Sequence, residues 1–333
     1  MEQTIRERFN EEILAEARWR YSLTADALKD MGGFESFIYA FTKDDSHYIL
    51  RIGHSRRRSA DMIRGEVDWL NYLAAGGAGV ARAVVSANGE LVEMLPDGHG
   101  DYFVATAFVR APGDHVTRAR WNEDFWVEYG RFLGKIHALT KNYVPSQPEW
   151  RRPEWHDPIF QVMDWLPDSE ALARQKYEEL MAYLATLPKD RDSYGLVHQD
   201  AHRGNFFVDE AGHITLFDFD DCMYSWYAYD VAMVIFYAIT NEPEPDVLAQ
   251  NFFKHFRRGY EQENSLDPRW YREIPHFLKQ REIDLYGVIY RSFDVDNISD
   301  SWVGRFMQGR KERIENDVPY VEIGDWWEVE GEK

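Results

Sequence analysis

Four side chains that could do chemistry, His198, Asp200, Asn205 and Asp218, fall within one stretch, residues 196–221, which reads LVHQDAHRGNFFVDEAGHITLFDFDD. Asp200 stands two residues after His198, Asn205 five after Asp200, and Asp218 and Asp220 alternate with aromatic residues. Between them, 205–208 and 214–217 are strand-like runs separated by the turn-rich 209–213, a pattern that predicts a β-hairpin. Strands joined so closely lie antiparallel, so the polar groups before the first and after the second come to one end. Asp200, Asn205, Asp218 and Asp220 then surround one small volume. Three carboxylates and an amide repel one another unless a cation sits among them. Mg²⁺ suits such a set, because it takes oxygen ligands, keeps several waters and is usually shared with substrate phosphates.

The interval from Asp200 to Asn205 is the Asp-x-x-x-x-Asn spacing of the kinase catalytic loop, and the hairpin carries a second metal Asp to the expected place. The wording His-Gln-Asp-Ala-His-Arg-Gly-Asn followed by Phe-Asp-Phe-Asp-Asp resembles the aminoglycoside phosphotransferase and choline kinase-like family. Its double acid after the aromatic is similar to the bacterial stress-response kinase and type II homoserine kinase-like branches. The resemblance spans 32–239 and is concentrated at 198–221.

The resemblance implies an α+β, two-lobed protein-kinase-like fold. A nucleotide-binding lobe at 1–109, an antiparallel sheet with one key helix, would precede a mainly helical catalytic and substrate-binding lobe at 110–333. ATP and Mg²⁺ would be the cofactors, and the γ-phosphoryl group would pass to a hydroxyl of a small molecule such as an amino alcohol, a sugar or an aminoglycoside-like compound. Asp200 would orient that hydroxyl and accept its proton, Asn205 and Asp218 would hold Mg²⁺, and Asp220 would assist at a second metal or through water. His202 stands where protein kinases carry a Lys that meets the transferred phosphate, and reads either as a phosphate contact or as loop scaffolding. His198 reads as scaffolding. A zinc pair from His198 and His202 is disfavoured by Gly204 and the loop context. Two alternatives stay open. A stress-response type protein Ser/Thr kinase is one, although after Asp221 the chain enters an apolar helix within a few residues and leaves no room for an activation loop. The other is a catalytically silent nucleotide-binding module.

The elements that position these groups are legible in part. Residues 1–30 alternate apolar and charged positions at helical spacing and predict an N-terminal helix. Strands at 37–41 and 47–52 form a hairpin with Gly32 and Gly33 at its mouth, where glycines let backbone N–H groups approach phosphates. The family has a comparable Gly-Gly-x-x-Asn/Ser turn, which brings in Ser36. A helix at 58–75 presents Ile63, Val67, Leu70 and Leu73 on one face, and Glu66 belongs to that face. A buried carboxylate is costly without a partner. The kinase fold supplies one from the preceding strand, usually Lys; here it is Arg51, which can grip a carboxylate and a phosphate together but with a longer, planar reach. Strands follow at 83–86, 91–94 and 102–109, then a break at 110–113. By resemblance, the backbone at Ala107 and Val109 should hydrogen-bond the adenine.

Beyond the break, helices are expected at 121–140, 169–187, 245–262, 268–290 and 299–316. His137, among apolar neighbours, reads as a hydrogen-bonded core residue. Asp230 matches an acidic residue that the family keeps to brace the catalytic loop. Arg281, Tyr290, Asp294 and Asp296 are candidates to line the acceptor side, and the acidic tail 320–333, with Trp326 and Trp327, is either disordered or folded back. The 58 acidic and 38 basic side chains give a net charge of −20, which argues against a nucleic-acid partner, since that binding rests on neutralising phosphates. Cys222 is the one cysteine, so neither a disulfide framework nor a cysteine-built zinc site is possible within the chain. The N-terminus lacks an apolar signal core, and the longest apolar run, 231–239, is far short of the roughly 20 residues that span a bilayer. A cytoplasmic protein without a membrane partner is expected.

Overall fold

The computed structural model describes residues 3–322. These fold into two compact units that interleave along the chain. The first comprises residues up to Asp114, with Asn142–Arg152 and Phe206–Asp220; the second comprises His115–Lys141, Pro153–Asn205 and the chain from Asp221 onward.

The first unit is built on an antiparallel sheet ordered Lys29–Gly32, Phe37–Lys43, Ser46–His54, Tyr102–Val109 and Ala83–Val84, with Glu93–Pro96 also paired to Tyr102–Val109. Its register sets Arg51 between Ile38 and Thr106. The helix Ala60–Ala75 starts where the Ser59 side chain accepts the Met62 N–H, and buries Ile63, Glu66, Val67, Leu70 and Leu73 as one stripe. The segment 142–152 runs along this helix. Gly65 permits that approach, because a Cβ there would lie 1.9 Å from the Trp150 carbonyl oxygen. The predicted hairpin is present as Phe206–Val208 and Ile214–Leu216, with Phe206 opposite Leu216.

The N-terminal helix expected over 1–30 is corrected. Two helices, Gln3–Arg6 and Glu11–Arg20, take its place, and Lys29–Gly32 is an edge strand. Asn10 starts the second helix afresh by accepting the N–H groups of Glu12 and Ile13, and Ser22 turns left-handed at φ 53° beyond its end. A side-chain cap and a positive φ thus override a continuous periodicity.

The second unit is mainly helical. Glu123–Thr140 packs closely on Pro245–Tyr260, where a Cβ on Gly130 would lie 1.8 Å from the Phe256 carbonyl oxygen. Tyr227–Ile239 is buried on nearly every side, and Ile274–Ser292 packs on it. The expected helix over 299–316 is two, Ser301–Met307 and Arg310–Glu315, broken at Gly309 with φ 65°. A short ladder pairs Tyr194–Val197 with Met223–Trp226, and the loop bearing Asp200 leaves its first strand. Trp326 and Trp327 lie outside the described residues. Among the described residues, no helix is long and apolar enough to cross a membrane.

Candidate active site

In the first unit, the sheet and its helix bring a cation and a carboxylate together in the interior. Arg51 donates to both oxygens of Glu66, at 2.9 and 2.5 Å, and its guanidinium lies 5.0 Å from the Phe108 ring centroid. Glu66 is fully buried. Burial alone would lower the Arg51 pKa, but Glu66, Asp220 and Asp218 together hold it above its ordinary value, so the guanidinium stays charged. The expected pairing is present.

Asp220 sits among guanidinium groups. Arg57 reaches its carboxylate at 2.8 Å and Arg51 approaches to 3.9 Å, while its carbonyl oxygen accepts from Arg152 at 2.7 Å and Arg58 at 3.3 Å. Arg152 also donates to the Met62 carbonyl at 2.8 Å, which links the start of the Glu66 helix to the Asp218–Asp220 motif. Asp218 itself holds a left-handed backbone, φ 66°. Arg57, Arg58 and Arg152 were not foreseen; the basic run 56–58 was the available signal, and nothing in sequence links it to residue 220. Ser36, Arg51, Arg57, Arg58 and Asp220 line one small cavity. Beside it, Gly32 adopts φ 73°, and a Cβ on Gly33 would lie 2.0 Å from the Ser36 carbonyl oxygen. In the Tyr102–Val109 strand, Ala107 is sealed in the sheet, and the Val109 N–H is given to the Arg82 carbonyl at 2.9 Å. Any adenine contact at Val109 therefore falls to its carbonyl.

In the second unit, the loop after Val197 is held from beneath. The Asp230 carboxylate accepts the N–H groups of His198 and Gln199, both at 2.8 Å, and meets His137 Nε2 at 3.2 Å. His137 Nδ1 in turn faces the Tyr260 hydroxyl at 2.7 Å. His198 Nδ1 accepts the Asp200 N–H at 3.2 Å, and the Tyr129 hydroxyl donates to the Ala201 carbonyl. His137 and His198 are thus scaffolding, and Asp230 is the brace.

The Asp200 carboxylate receives Arg281 Nη2 on Oδ1 at 2.8 Å. On Oδ2 it receives Asn205 Nδ2 at 3.1 Å and lies 3.2 Å from His202 Nε2. Partial burial pushes its pKa up, but His202, Arg281 and His198 more than offset this and hold it well below the usual carboxylate range. His202 accepts the Gly204 N–H at 2.8 Å through Nδ1 and lies against the Tyr237 ring, 4.2 Å between centroids. Both of its nitrogens are engaged inside the loop. Asn205 gives its N–H group to Asp200, so its side-chain oxygen is the atom that remains to ligate a cation.

Of the four acceptor-side candidates, Arg281 alone is joined to Asp200. Tyr290 turns to Glu170 at 3.2 Å, and Asp294 caps its own turn by accepting the Asp296 N–H at 3.2 Å. Tyr237, which hydrogen-bonds Arg281, was missed; it lies in a helix that reads as uniform core.

The phosphotransferase enzyme family model matches residues 28–274. The amicoumacin kinase of Bacillus subtilis (strain 168) is 38% identical over 314 residues, covering 93% of each chain. A solved structure of the amicoumacin kinase hAmiN in complex with AMP-PNP, Ca²⁺ and Ami superposes with a TM-score of 0.91 at 33% identity, covering 97% of this chain and 98% of that one. A microcompartment-associated aminopropanol kinase shares the fold, with a TM-score of 0.74 at 20% identity over 92% of this chain and 98% of that one. Taken with an ionised Asp200 on a braced loop and an Arg51–Glu66 pair on the sheet, these relationships settle the class: the chain belongs to the phosphotransferase enzyme family, and it is an ATP-dependent small-molecule phosphotransferase with a kinase-like fold.

Proposed function

We propose that the acceptor is a hydroxyl of an amicoumacin-type compound and that the chain transfers the ATP γ-phosphoryl group to it. The name of the relative that is 38% identical over 93% of the chain supports the choice of acceptor. One observation carries the chemistry: the Asp200 carboxylate is held by Arg281 at 2.8 Å and lies 3.2 Å from His202, at the tip of a loop braced by Asp230. Such a carboxylate is ready to orient a hydroxyl and take its proton, the role that positioning-dominated phosphoryl transfer asks of it. His202, with both ring nitrogens engaged inside the loop, steadies Asp200.

The nucleotide belongs to the lobe 1–109 and catalysis to 110–333 in this reading. The Gly32-Gly33 turn with Ser36 offers N–H and hydroxyl donors to the phosphates, Arg51 steadied by Glu66 neutralises them, and the Val109 carbonyl receives the adenine, Ala107 being paired within the sheet on both sides. Asn205 and Asp218 would hold Mg²⁺, with Asp220 at a second ion or through water. An amide and carboxylates are the oxygen ligands that this ion prefers. When bound, Mg²⁺ offsets the charge that develops on the phosphates. The need for ATP argues for the cytoplasm.

The test is transfer of label from γ-labelled ATP, with Mg²⁺, to amicoumacin and, separately, to pooled amino alcohols, sugars, aminoglycosides and a generic protein, with Asp218→Ala in parallel. Label on amicoumacin that the variant loses supports the reading. Label on the protein substrate with none on any small alcohol overturns it.

A further inference from the structure

Arg281 and Asp284 stand three residues apart on the helix Ile274–Ser292, and therefore on one face. Arg281 commits Nη2 to Asp200 and to the Tyr237 hydroxyl. Its Nε is buried and has no hydrogen-bond partner among the described residues. Asp284 is 8% exposed, and its Oδ1 is likewise buried without a partner. Buried polar atoms are nearly always satisfied, so a donor and an acceptor left open on neighbouring side chains need an occupant.

Charge narrows what that occupant can be. An ammonium would meet Asp284 but face the Arg281 guanidinium; a carboxylate would meet Arg281 but face Asp284. A neutral group that presents a carbonyl oxygen and an N–H side by side meets both without repulsion, and the carboxamide is the common group that does so. Burial pushes the Asp284 pKa up to about 7, with the Arg281 charge and the Tyr177 hydroxyl pulling the other way. The site therefore does not present a full anion at neutral pH, which weakens the case for a cationic ligand further.

We propose that Arg281 and Asp284 form an acceptor subsite that reads a carboxamide neighbouring the hydroxyl to be phosphorylated. Arg281 Nε donates to the amide carbonyl, and Asp284 Oδ1 accepts from the amide N–H. The inference rests on the reading of Asp200 as the group that receives the acceptor hydroxyl, since Arg281 touches both places. The competing occupants are one internal water bridging the two atoms and the Tyr229 hydroxyl, which is also buried without a hydrogen-bond partner among the described residues and interacts with both Asp284 and Arg281.

The experiment measures β-hydroxypropanamide, methyl β-hydroxypropanoate and propanolamine as competitors of amicoumacin labelling by Mg-ATP, in the wild type, Asp284→Leu and Asp284→Asn. The amide should inhibit about tenfold or more better than the ester and the amine. Asp284→Leu should erase that preference, and Asp284→Asn, which still offers an oxygen, should keep part of it. Equal inhibition by all three probes, or an undiminished preference in Asp284→Leu, overturns the subsite and leaves the water or the Tyr229 hydroxyl. Should the Leu variant fail to fold, the wild-type ranking and the Asn variant still decide. Absence of any label on amicoumacin in the wild type would sink the proposed acceptor and this inference with it, whereas labelling without preference among the probes sinks the inference alone.

Discussion

Arg281 donates from Nη2 to Oδ1 of Asp200 at 2.8 Å, so the carboxylate assigned to the acceptor is paired with a guanidinium 81 residues further along the chain. The pair does two things at once. It keeps Asp200 ionised, and it fixes one edge of the carboxylate so that the other faces Asn205 and His202.

Replacing Arg281 by Met should therefore change the pH dependence as well as the rate. Partial burial then acts on Asp200 with one less cation against it, its pKa rises, and the acid limb of the kcat/KM profile moves to higher pH. At neutral pH the loss should be about 10²-fold. A variant whose rate falls while its acid limb stays in place would assign Arg281 to packing instead.

The Arg51–Glu66 pair yields a stability prediction. Both side chains are withdrawn from water, 9% and 0% exposed, and removal of one partner leaves the other buried and uncompensated. Glu66→Ala should lower the unfolding free energy in urea by about 3–5 kcal/mol and raise KM for ATP. Glu66→Gln, which keeps one hydrogen bond, should cost less.

Asp230 should show its bracing role as a loss of turnover at unchanged nucleotide affinity. In Asp230→Ala the N–H groups of His198 and Gln199 lose their acceptor, each at about 1–3 kcal/mol for a buried unsatisfied donor. Asp200 then loses its fixed position, and kcat should fall about 10²-fold or more. A titration of ATP binding on the folded variant separates this from general collapse.

Asp284 sets the sign of a pH effect on stability. Its pKa is raised from 3.8 to about 7 by burial, so the folded state holds this proton more tightly than the unfolded one. The contribution is therefore present below about pH 4 and is lost progressively as the pH rises to about 7. Thermal melts at a series of pH values should show that fall in the wild type and a flatter curve in Asp284→Asn; parallel curves would remove the assignment.

What was legible in the sequence is the local part of this arrangement. The hairpin, the Asp200 to Asn205 interval and the placing of Glu66 on a buried helix face all follow from spacing within a few turns of chain, where periodicity is informative. Asp230 came from family resemblance, and His137 from its apolar neighbours. The N-terminal segment failed because a cap at Asn10 and a left-handed residue at Ser22 outweigh a run of amphipathic positions. Arg152 on the Asp220 carbonyl and Tyr237 on Arg281 were invisible: each is a long-range contact, and neither residue stands out by type from its neighbours.

The most direct test of the central claim is single-turnover transfer from γ-labelled Mg-ATP to amicoumacin by the wild type and by Asp200→Asn. One phosphoryl group should be gained on the acceptor with the wild type, and the rate should be slowed about 10²–10⁴-fold in the variant with ATP binding intact. Label on amicoumacin at a near-normal rate in Asp200→Asn would contradict the role given to Asp200. No label with the wild type, in the presence of bound ATP, would contradict the acceptor.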